Sequence, residues 1–393
     1  MDRVPKGARN CAASALNNVI KCVCDSDSEN DWRKLFRFSS LCFKKPRRGG
    51  KRQPSLATTV KRQIDDFLAD PFRPLVTVGV SKHDKKRSRD KDDYARVVAR
   101  KLANNDIKGA IRFLSSDDKI LPFDLETLSH LKSKHPPPHP DSDMPGPPDS
   151  VEIGMALQLS EPQVLKAIQS FPGGSAGGSD LLLPQYLKDM TSKVCGVQGS
   201  QLLSTIVRFS NKMLRGDIPE YILPFLYGAS LIAFSKPDGG VRPIAIGNTL
   251  RRLTAKAAAF AAKETVKSKL FPHQVGVAVP GGAEAIVHTA RSYCRSNLES
   301  DDPVLFLKVD FKNAFNSVRR DKLLRLVREE LKSFYPFIYQ CYFKPSHLFF
   351  NNSSLLSAEG VQQGDPVGPM SFSIAISYPR LQNNFGVGHV VSG

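Results

Sequence analysis

An apolar segment that ends on a carboxylate is the most constraining feature of this chain. Residues 304–309 are predominantly apolar, Asp310 follows them directly, and Phe315 comes five positions later. A short apolar run of this kind predicts a buried strand, which would place Asp310 at the carboxyl edge of a sheet, where ligands commonly bind. The alternative is that Asp310 is an ordinary aspartate that ends a strand and that Phe315 is a core residue.

A second informative segment, residues 359–366, reads Glu-Gly-Val-Gln-Gln-Gly-Asp-Pro. Gly364 allows a ligand to approach the backbone closely, and Gln363 offers both a donor and an acceptor. Pro366 suits the first turn of a helix. The segment therefore predicts a loop that faces a ligand and leads into a helix.

A third segment predicts a hairpin that carries two cations. The turn 236–240, Lys-Pro-Asp-Gly-Gly, separates two short apolar runs, and Arg242 follows it. Cations suit a polyphosphate ligand, and arginine can bind phosphate through two parallel hydrogen bonds. Taken alone, Lys236 and Arg242 are equally consistent with ordinary exposed cations of a hairpin.

These three blocks, in this order, resemble those of reverse transcriptases, and specifically those of non-LTR (LINE-type) retrotransposons. Residues 173–186 resemble the glycine-rich entry block of that family, and residues 271–282 resemble the block before its palm. The resemblance spans about residues 160–376. It implies an α+β fold, a partial right-hand polymerase with fingers and an incomplete palm. It also implies RNA-directed DNA synthesis with an RNA template, a DNA primer and dNTP.

The resemblance also implies roles for individual residues. Asp310 would be a catalytic ligand of Mg²⁺, or of Mn²⁺ in its place. Phe315 would lie under the sugar and exclude a 2′-hydroxyl, and Gln363 would position the nucleotide and the template. The residues expected to bind the nucleotide are Lys236, Arg242, Phe311, Ala314 and Gly364.

One block of the family does not occur in these 393 residues. The aromatic-x-Asp-Asp turn should follow residue 366, but every Asp-Asp pair of the sequence precedes Asp310. Two metal ions need several carboxylates, so we expect a truncated reverse transcriptase that is inactive alone. The alternative is a non-catalytic nucleic-acid-binding protein derived from a retroelement, and template-dependent nucleotide incorporation would distinguish the two.

Positive charge is concentrated in the N-terminal part of the chain. The net charge is +18, and residues 1–101 contribute 25 Lys and Arg against 12 Asp and Glu. This distribution favours nucleic-acid binding, although the basic runs could also be a nuclear-import signal or simply solvated. The residues expected to contact nucleic acid are Lys44, Lys45, Arg47, Arg48, Lys51, Arg52, Lys85, Lys86, Arg87 and Arg89.

The sequence divides into three predicted parts: a basic, mainly helical N-terminal region (1–132), a proline-rich extended linker (133–150) and the incomplete fingers and palm (151–393). In the last part, the capping-box residues Ser160 and Gln163 predict the start of a helix, and Asn351-Asn352 predict the turn of a second hairpin over residues 346–356. No apolar run approaches the ~20 residues that cross a bilayer, so no membrane association is expected. Seven irregularly spaced cysteines predict a reduced, intracellular location in the nucleus, the cytoplasm or both. Neither the cysteines nor the histidines near the linker predict a metal site.

Overall fold

The computed structural model describes residues 1–45, 54–74, 92–103, 106–115, 119–237, 239–298 and 308–382. The N-terminal region is helical, as predicted. Serine hydroxyls cap two of its helices, since Ser28 accepts from the Asp31 amide and Ser55 accepts from the Thr58 amide. The helices are α1 (Arg9–Ser26), α2 (Glu29–Cys42), α3 (Leu56–Ala69), α4 (Asp92–Ala103), α5 (Ile107–Leu114) and α6 (Leu125–Ser133).

Helices also dominate the remainder of the chain. A capping box at Ser160 starts α8, where that signal was expected. The elements are α7 (Ser150–Gly154), α8 (Glu161–Gln169), α9 (Pro184–Met190), α10 (Gly196–Leu214), α11 (Leu223–Leu226), α12 (Thr249–Ala261), α13 (Lys263–Leu270), α14 (Gly282–Ser296), α15 (Ala314–Ser317), α16 (Arg320–Glu330), α17 (Tyr335–Tyr342) and α18 (Gly368–Gln382). Short 3₁₀ turns are Lys6–Ala8, Lys193–Cys195, Glu220–Ile222 and Lys332–Phe334.

One mixed sheet contains two hairpins, and both were predicted from sequence. Its strands are β1 (Ala229–Ser235), β2 (Val241–Gly247), β3 (Ser346–Phe350) and β4 (Ser353–Ser357). The order is β2-β1-β3-β4, with β1 parallel to β3 and the other pairs antiparallel. Asn351 turns the second hairpin in a left-handed conformation, with φ 53°, which asparagine tolerates better than most residues.

The two faces of the sheet differ in burial. Alternate residues of β1, namely Ala229, Leu231 and Ala233, are buried against Leu128 and Leu131 of α6. A larger core runs from the N-terminal helices to α18, and Trp32 of α2 contacts Phe209 of α10 within it, with ring centroids 5.8 Å apart. Residues on both sides of the proline-rich segment therefore share one hydrophobic core.

Residues 134–146, here called the strap, are extended as expected and are fastened to residues between positions 313 and 359. The side chains of Asn313 and Asn316 donate to the Lys134 carbonyl at 2.9 and 3.1 Å. The His139 amide donates to Glu359 at 2.9 Å, and the Tyr335 hydroxyl donates to the Gly146 carbonyl at 2.5 Å. The strap is thus part of the folded structure, while the division into three domains stays a prediction.

The expectation of a buried strand ending on Asp310 is wrong for its described part. Residues 304–307 lie outside the described residues. Lys308, Val309 and Asp310 are in irregular structure, and Val309 is 54% exposed. A strand needs a neighbour for its backbone hydrogen bonds, and β1 and β3 already pair with each other in the middle of the described sheet.

Within the described ranges, the helices are too short or too polar to span a lipid bilayer.

Candidate functional site

The turn that contains Gln363 and Gly364 lies against the edge of the sheet. The Ala245 amide of β2 donates to the Gln363 carbonyl at 2.8 Å, which satisfies a backbone group on an edge strand. Gly364 has φ 119°, and a Cβ there would come 2.5 Å from the Ala245 carbonyl oxygen. Glycine is therefore required at position 364, and Gln363 is held half-exposed beside β2.

A buried ion pair holds this turn in place. Arg251 of α12 donates to Asp365 at 2.6 Å, and both side chains are almost fully buried. The Tyr342 hydroxyl donates to the same carboxylate oxygen at 2.5 Å. Gln362 accepts from Arg251 at 2.5 Å and donates to the Tyr227 carbonyl at 2.9 Å. The residues on either side of Gln363 and Gly364 are therefore structural anchors.

The surroundings of Arg251 favour the charged state of its guanidinium. Burial alone would lower the pKa of Arg251, but the attraction of Asp365 and its neighbours raises that pKa above its ordinary value. Burial raises the pKa of Tyr342 well above its usual value, so its hydroxyl keeps its proton and donates to Asp365. The guanidinium therefore keeps its charge in the interior, 2.6 Å from Asp365.

Phe315 lies next to the same turn. Its carbonyl accepts from the Val361 amide at 2.7 Å, and its ring stacks on Phe372 of α18 with centroids 5.2 Å apart. A Cβ on Gly368 would come 3.5 Å from the ring. Phe311 contacts Phe372 edge-on, with centroids 6.2 Å apart, and is 51% exposed. The two predicted phenylalanines therefore share one aromatic neighbour.

Asp310 lies one residue before Phe311, and its side chain is exposed. None of the described residues makes a hydrogen bond or an ion pair with its carboxylate. Among those residues, no group of three or more His, Cys, Asp or Glu could hold a metal ion. Asp310 is thus free to serve as one ligand of a cation whose other ligands arrive with a substrate.

The predicted triphosphate ligands belong to the first hairpin. The Lys236 amide donates to the Gly240 carbonyl at 2.8 Å, and Gly239 turns with φ 76°. Arg242 lies on β2 opposite Phe234 and is half-buried. Ala314 begins α15 and is half-buried.

Two of the ten basic residues expected to bind nucleic acid are described. Lys44 and Lys45 are exposed just after α2. The other eight, Arg47, Arg48, Lys51, Arg52, Lys85, Lys86, Arg87 and Arg89, lie outside the described residues.

The structure therefore brings the predicted residues into two adjoining groups. Gln363 and Gly364 lie along β2, which also carries Arg242, and Phe311 and Phe315 lie around Phe372. The segment 360–368 joins the groups through the contacts described above. A single pocket shared by Asp310, Phe315, Gln363 and Arg242 stays a prediction.

Sequence reasoning missed Arg251, Gln362 and Asp365. Gln362 and Asp365 belong to the segment that was singled out, but a pattern does not show which of its polar residues face inward. Arg251 stands in an alanine-rich helix, where an arginine among small residues is a weak sign of a buried ion pair.

A comparison with protein families shows what these elements are similar to. Residues 234–382 match the family model described as reverse transcriptase (RNA-dependent DNA polymerase). The match runs from the last two residues of β1 to the end of α18 and contains both groups of candidate residues. No curated protein matches the chain. This part of the chain is therefore similar to a reverse transcriptase domain, which supports a reverse-transcriptase-like function.

Proposed function

We propose that the chain provides the fingers and part of the palm of an RNA-directed DNA polymerase from a non-LTR (LINE-type) retrotransposon. The observation that carries the proposal is the family match over residues 234–382. It covers the hairpin with Arg242 and the turn with Gln363, which contact each other through the Ala245 hydrogen bond. An RNA template, a DNA primer and dNTP are the corresponding partners.

In this proposal the open edge at β2 receives the incoming nucleotide. Lys236 and Arg242 bind its triphosphate, because four negative charges require cations and arginine can bind phosphate in a bidentate manner. Phe315 limits the space under the sugar and so selects deoxynucleotides. Gln363 hydrogen-bonds beside the base pair. Gly364 leaves room for the close approach of the substrate.

Mg²⁺ fits this arrangement as a cation that arrives with the substrate. It is commonly held by one or two carboxylates together with substrate phosphates and water. The exposed Asp310 carboxylate can supply one such ligand, and the Phe311 carbonyl lies next to it in the chain. When bound, the ion would neutralise the charge on the phosphate oxygens.

We further propose that these 393 residues alone do not extend a primer, because the Asp pair of the family does not occur in them. The test is primer extension on an RNA template, with Asp310→Ala as the control. Extension above background that disappears in the control would overturn this part of the proposal.

Binding of Mg²⁺–dNTP tests the nucleotide site without requiring catalysis. We expect Arg242→Gln to weaken dNTP binding about tenfold or more, because a charge-assisted contact to phosphate contributes on the order of 1.5–3 kcal/mol. The matched control is Arg295→Gln, which removes an exposed arginine from α14. Equal binding by both variants would remove the nucleotide-site assignment.

A non-catalytic nucleic-acid-binding protein is the second candidate. The observation that favours it is the charge of residues 1–101, with 25 Lys and Arg against 12 Asp and Glu. Tight binding of RNA without any binding of Mg²⁺–dNTP would support this candidate over the first.

A further inference from the structure

Four cations gather beside the glycine-rich loop. They come from three helices: Lys166 from α8, Lys188 from α9, and Arg252 and Lys256 from α12. We call them the cation cluster. The loop, residues 172–179, connects α8 to α9.

Hydrogen bonds fix three of these side chains to the backbone at the end of α8 and in the loop. Lys256 donates to the Ser170 carbonyl at 3.0 Å, and Lys188 donates to the Phe171 carbonyl at 2.5 Å. Arg252 donates to the Ala176 carbonyl. The cations therefore already have defined positions. A ligand that binds them would lose less free energy to the ordering of these side chains.

Two aromatic rings lie among the cations. The Lys256 ammonium is 4.7 Å from the centroid of Phe171 and 5.9 Å from that of Phe260. Arg252 is 5.7 Å from Phe171, and Lys166 is 5.8 Å from Phe260. Phe260 is 43% exposed. Cations interleaved with an exposed ring are typical of surfaces that bind single-stranded nucleic acid.

Among the described residues, no carboxylate forms an ion pair with the cluster, although the buried Asp180 attracts Arg252 electrostatically. Burial lowers the pKa of Lys256, and repulsion from Lys188 and Arg252 lowers it further. Burial and repulsion from Arg3 lower the pKa of Lys188. The Nε of Arg252 is buried without a hydrogen-bond acceptor in the described part of the chain. Like charges held together at this cost favour a bound anion, which would relieve their repulsion.

Arg242 and the start of α12 lie at opposite ends of β2, and Gln363 of the candidate nucleotide site contacts Ala245 between them. Arg242 is the second residue of β2, and α12 begins two residues after Gly247, the last. Five residues of strand cover about 17 Å. Successive phosphates of a duplex strand are about 3.4 Å apart along the axis. A strand could therefore pass from Arg242 to the start of α12, the helix that carries Arg252 and Lys256, within on the order of five nucleotides.

We propose that the cation cluster binds the sugar-phosphate backbone of a nucleic-acid strand that enters or leaves the candidate site along β2. The path along β2 rests on the proposed function, whereas the phosphate site rests on the cluster alone. Phe260 offers an apolar surface on which one base can stack. Because phosphates are common to RNA and DNA, both strands are expected to bind the cluster.

The first experiment measures binding of a fluorescein-labelled 20-nucleotide RNA, and of DNA of the same sequence, as a function of salt and without dNTP. The variant is Lys188→Gln, Arg252→Gln, Lys256→Gln, because glutamine keeps an N–H donor for the backbone carbonyls and removes the charge. The matched control, Lys21→Gln, Lys322→Gln, Lys332→Gln, removes three exposed cations from other elements.

Loss of three phosphate contacts should reduce the slope of log affinity against log salt by about 2, at about 0.7 per contact on single strands. Affinity at 0.1 M salt should fall about 100-fold, and the curves should converge near 1 M. The control triple variant should change much less. Equal slopes for the two triple variants would overturn the proposal.

The second experiment uses the unaltered chain, so it remains decisive if the cluster variant fails to fold. Acylation of lysines is followed by mass spectrometry with and without the 20-nucleotide RNA, or with inorganic triphosphate as competitor. We expect RNA to protect Lys166 and Lys188 and to leave Lys322 reactive. Protection by triphosphate but not by RNA would overturn the proposal that the cation cluster binds a nucleic-acid strand. Loss of dNTP binding in Arg242→Gln has no bearing on this result, so the two proposals fail separately.

Discussion

Removal of the Asp365 carboxylate should destabilise the fold severely, because it leaves the Arg251 charge buried without its counter-ion. The two side chains are 2% and 1% exposed, and their atoms are 2.6 Å apart. Breaking one side of a buried pair typically costs about 3–5 kcal/mol. Domain stability is about 5–15 kcal/mol. We therefore expect Asp365→Ala to lose about 4 kcal/mol and to remain folded only marginally.

The same reasoning predicts that a second substitution repairs the first. Replacing a buried pair by apolar residues is often neutral or stabilising. The double variant Arg251→Met, Asp365→Ala should therefore be more stable than Asp365→Ala alone. A coupling energy of about 2 kcal/mol or more between the two sites is expected, because they share one network.

Urea unfolding measures these free energies, and the chain contains a suitable probe. Trp32 is its only tryptophan, and it is fully buried against Phe209. The matched control is Asp310→Ala, an exposed carboxylate whose loss should change stability by less than about 0.5 kcal/mol. A loss below about 1 kcal/mol in Asp365→Ala, or strict additivity in the double variant, would refute the reasoning.

Three further predictions concern a turn, a buried acid and the basic arm. Gly364→Ala should destabilise the fold by about 1–3 kcal/mol in urea unfolding. Gly239 also has positive φ but has open space around it, so Gly239→Ala should destabilise the fold less. Equal losses of stability in the two variants would show that a clash with Ala245 does not contribute at position 364. Burial raises the pKa of Asp180 to about 7, above about 3.9 in the unfolded chain. Its stabilising contribution is therefore complete below pH ~4 and lost as the pH rises to ~7. Asp180→Asn should match the unaltered chain near pH 4 and exceed its stability by on the order of 4 kcal/mol at pH 8; a constant difference would contradict the assignment. Substituting Lys44, Lys45, Arg47, Arg48, Lys51 and Arg52 by glutamine should reduce the salt slope of RNA binding by up to about 4, and an unchanged slope would show that this segment does not contact phosphate.

Local signals in the sequence were sufficient for the elements that form from neighbouring residues. The turn 236–240 and the asparagines 351–352 predicted both hairpins, and the capping box at Ser160 predicted the start of α8. These signals succeed because a turn or a cap is formed by residues within a few positions of one another. The family resemblance likewise rests on short blocks, and the match over residues 234–382 supports it.

The sequence was a poorer guide wherever the outcome depended on distant residues. The apolar run before Asp310 predicted a strand, but its described end has no strand neighbour and is exposed. The proline-rich strap was predicted to be an extended linker, and nothing in the sequence indicated that Asn313, Asn316 and Glu359 would hold it. In both cases the pattern described the segment correctly as apolar or extended and did not reveal what would lie beside it.

Tertiary structure alone distinguished Gln362 and Asp365 from Gln363 and Gly364. All four belong to one short segment, and residue type alone does not show which of them are buried and which lie beside the candidate site. Arg251, more than 100 residues away in the chain, pairs with Asp365 and accounts for its burial. The edge of β2 then leaves Gln363 half-exposed beside the strand that carries Arg242. The positions of these side chains follow from contacts across the core, and such contacts are set by how the helices and the sheet pack and not by the order of residues within a motif.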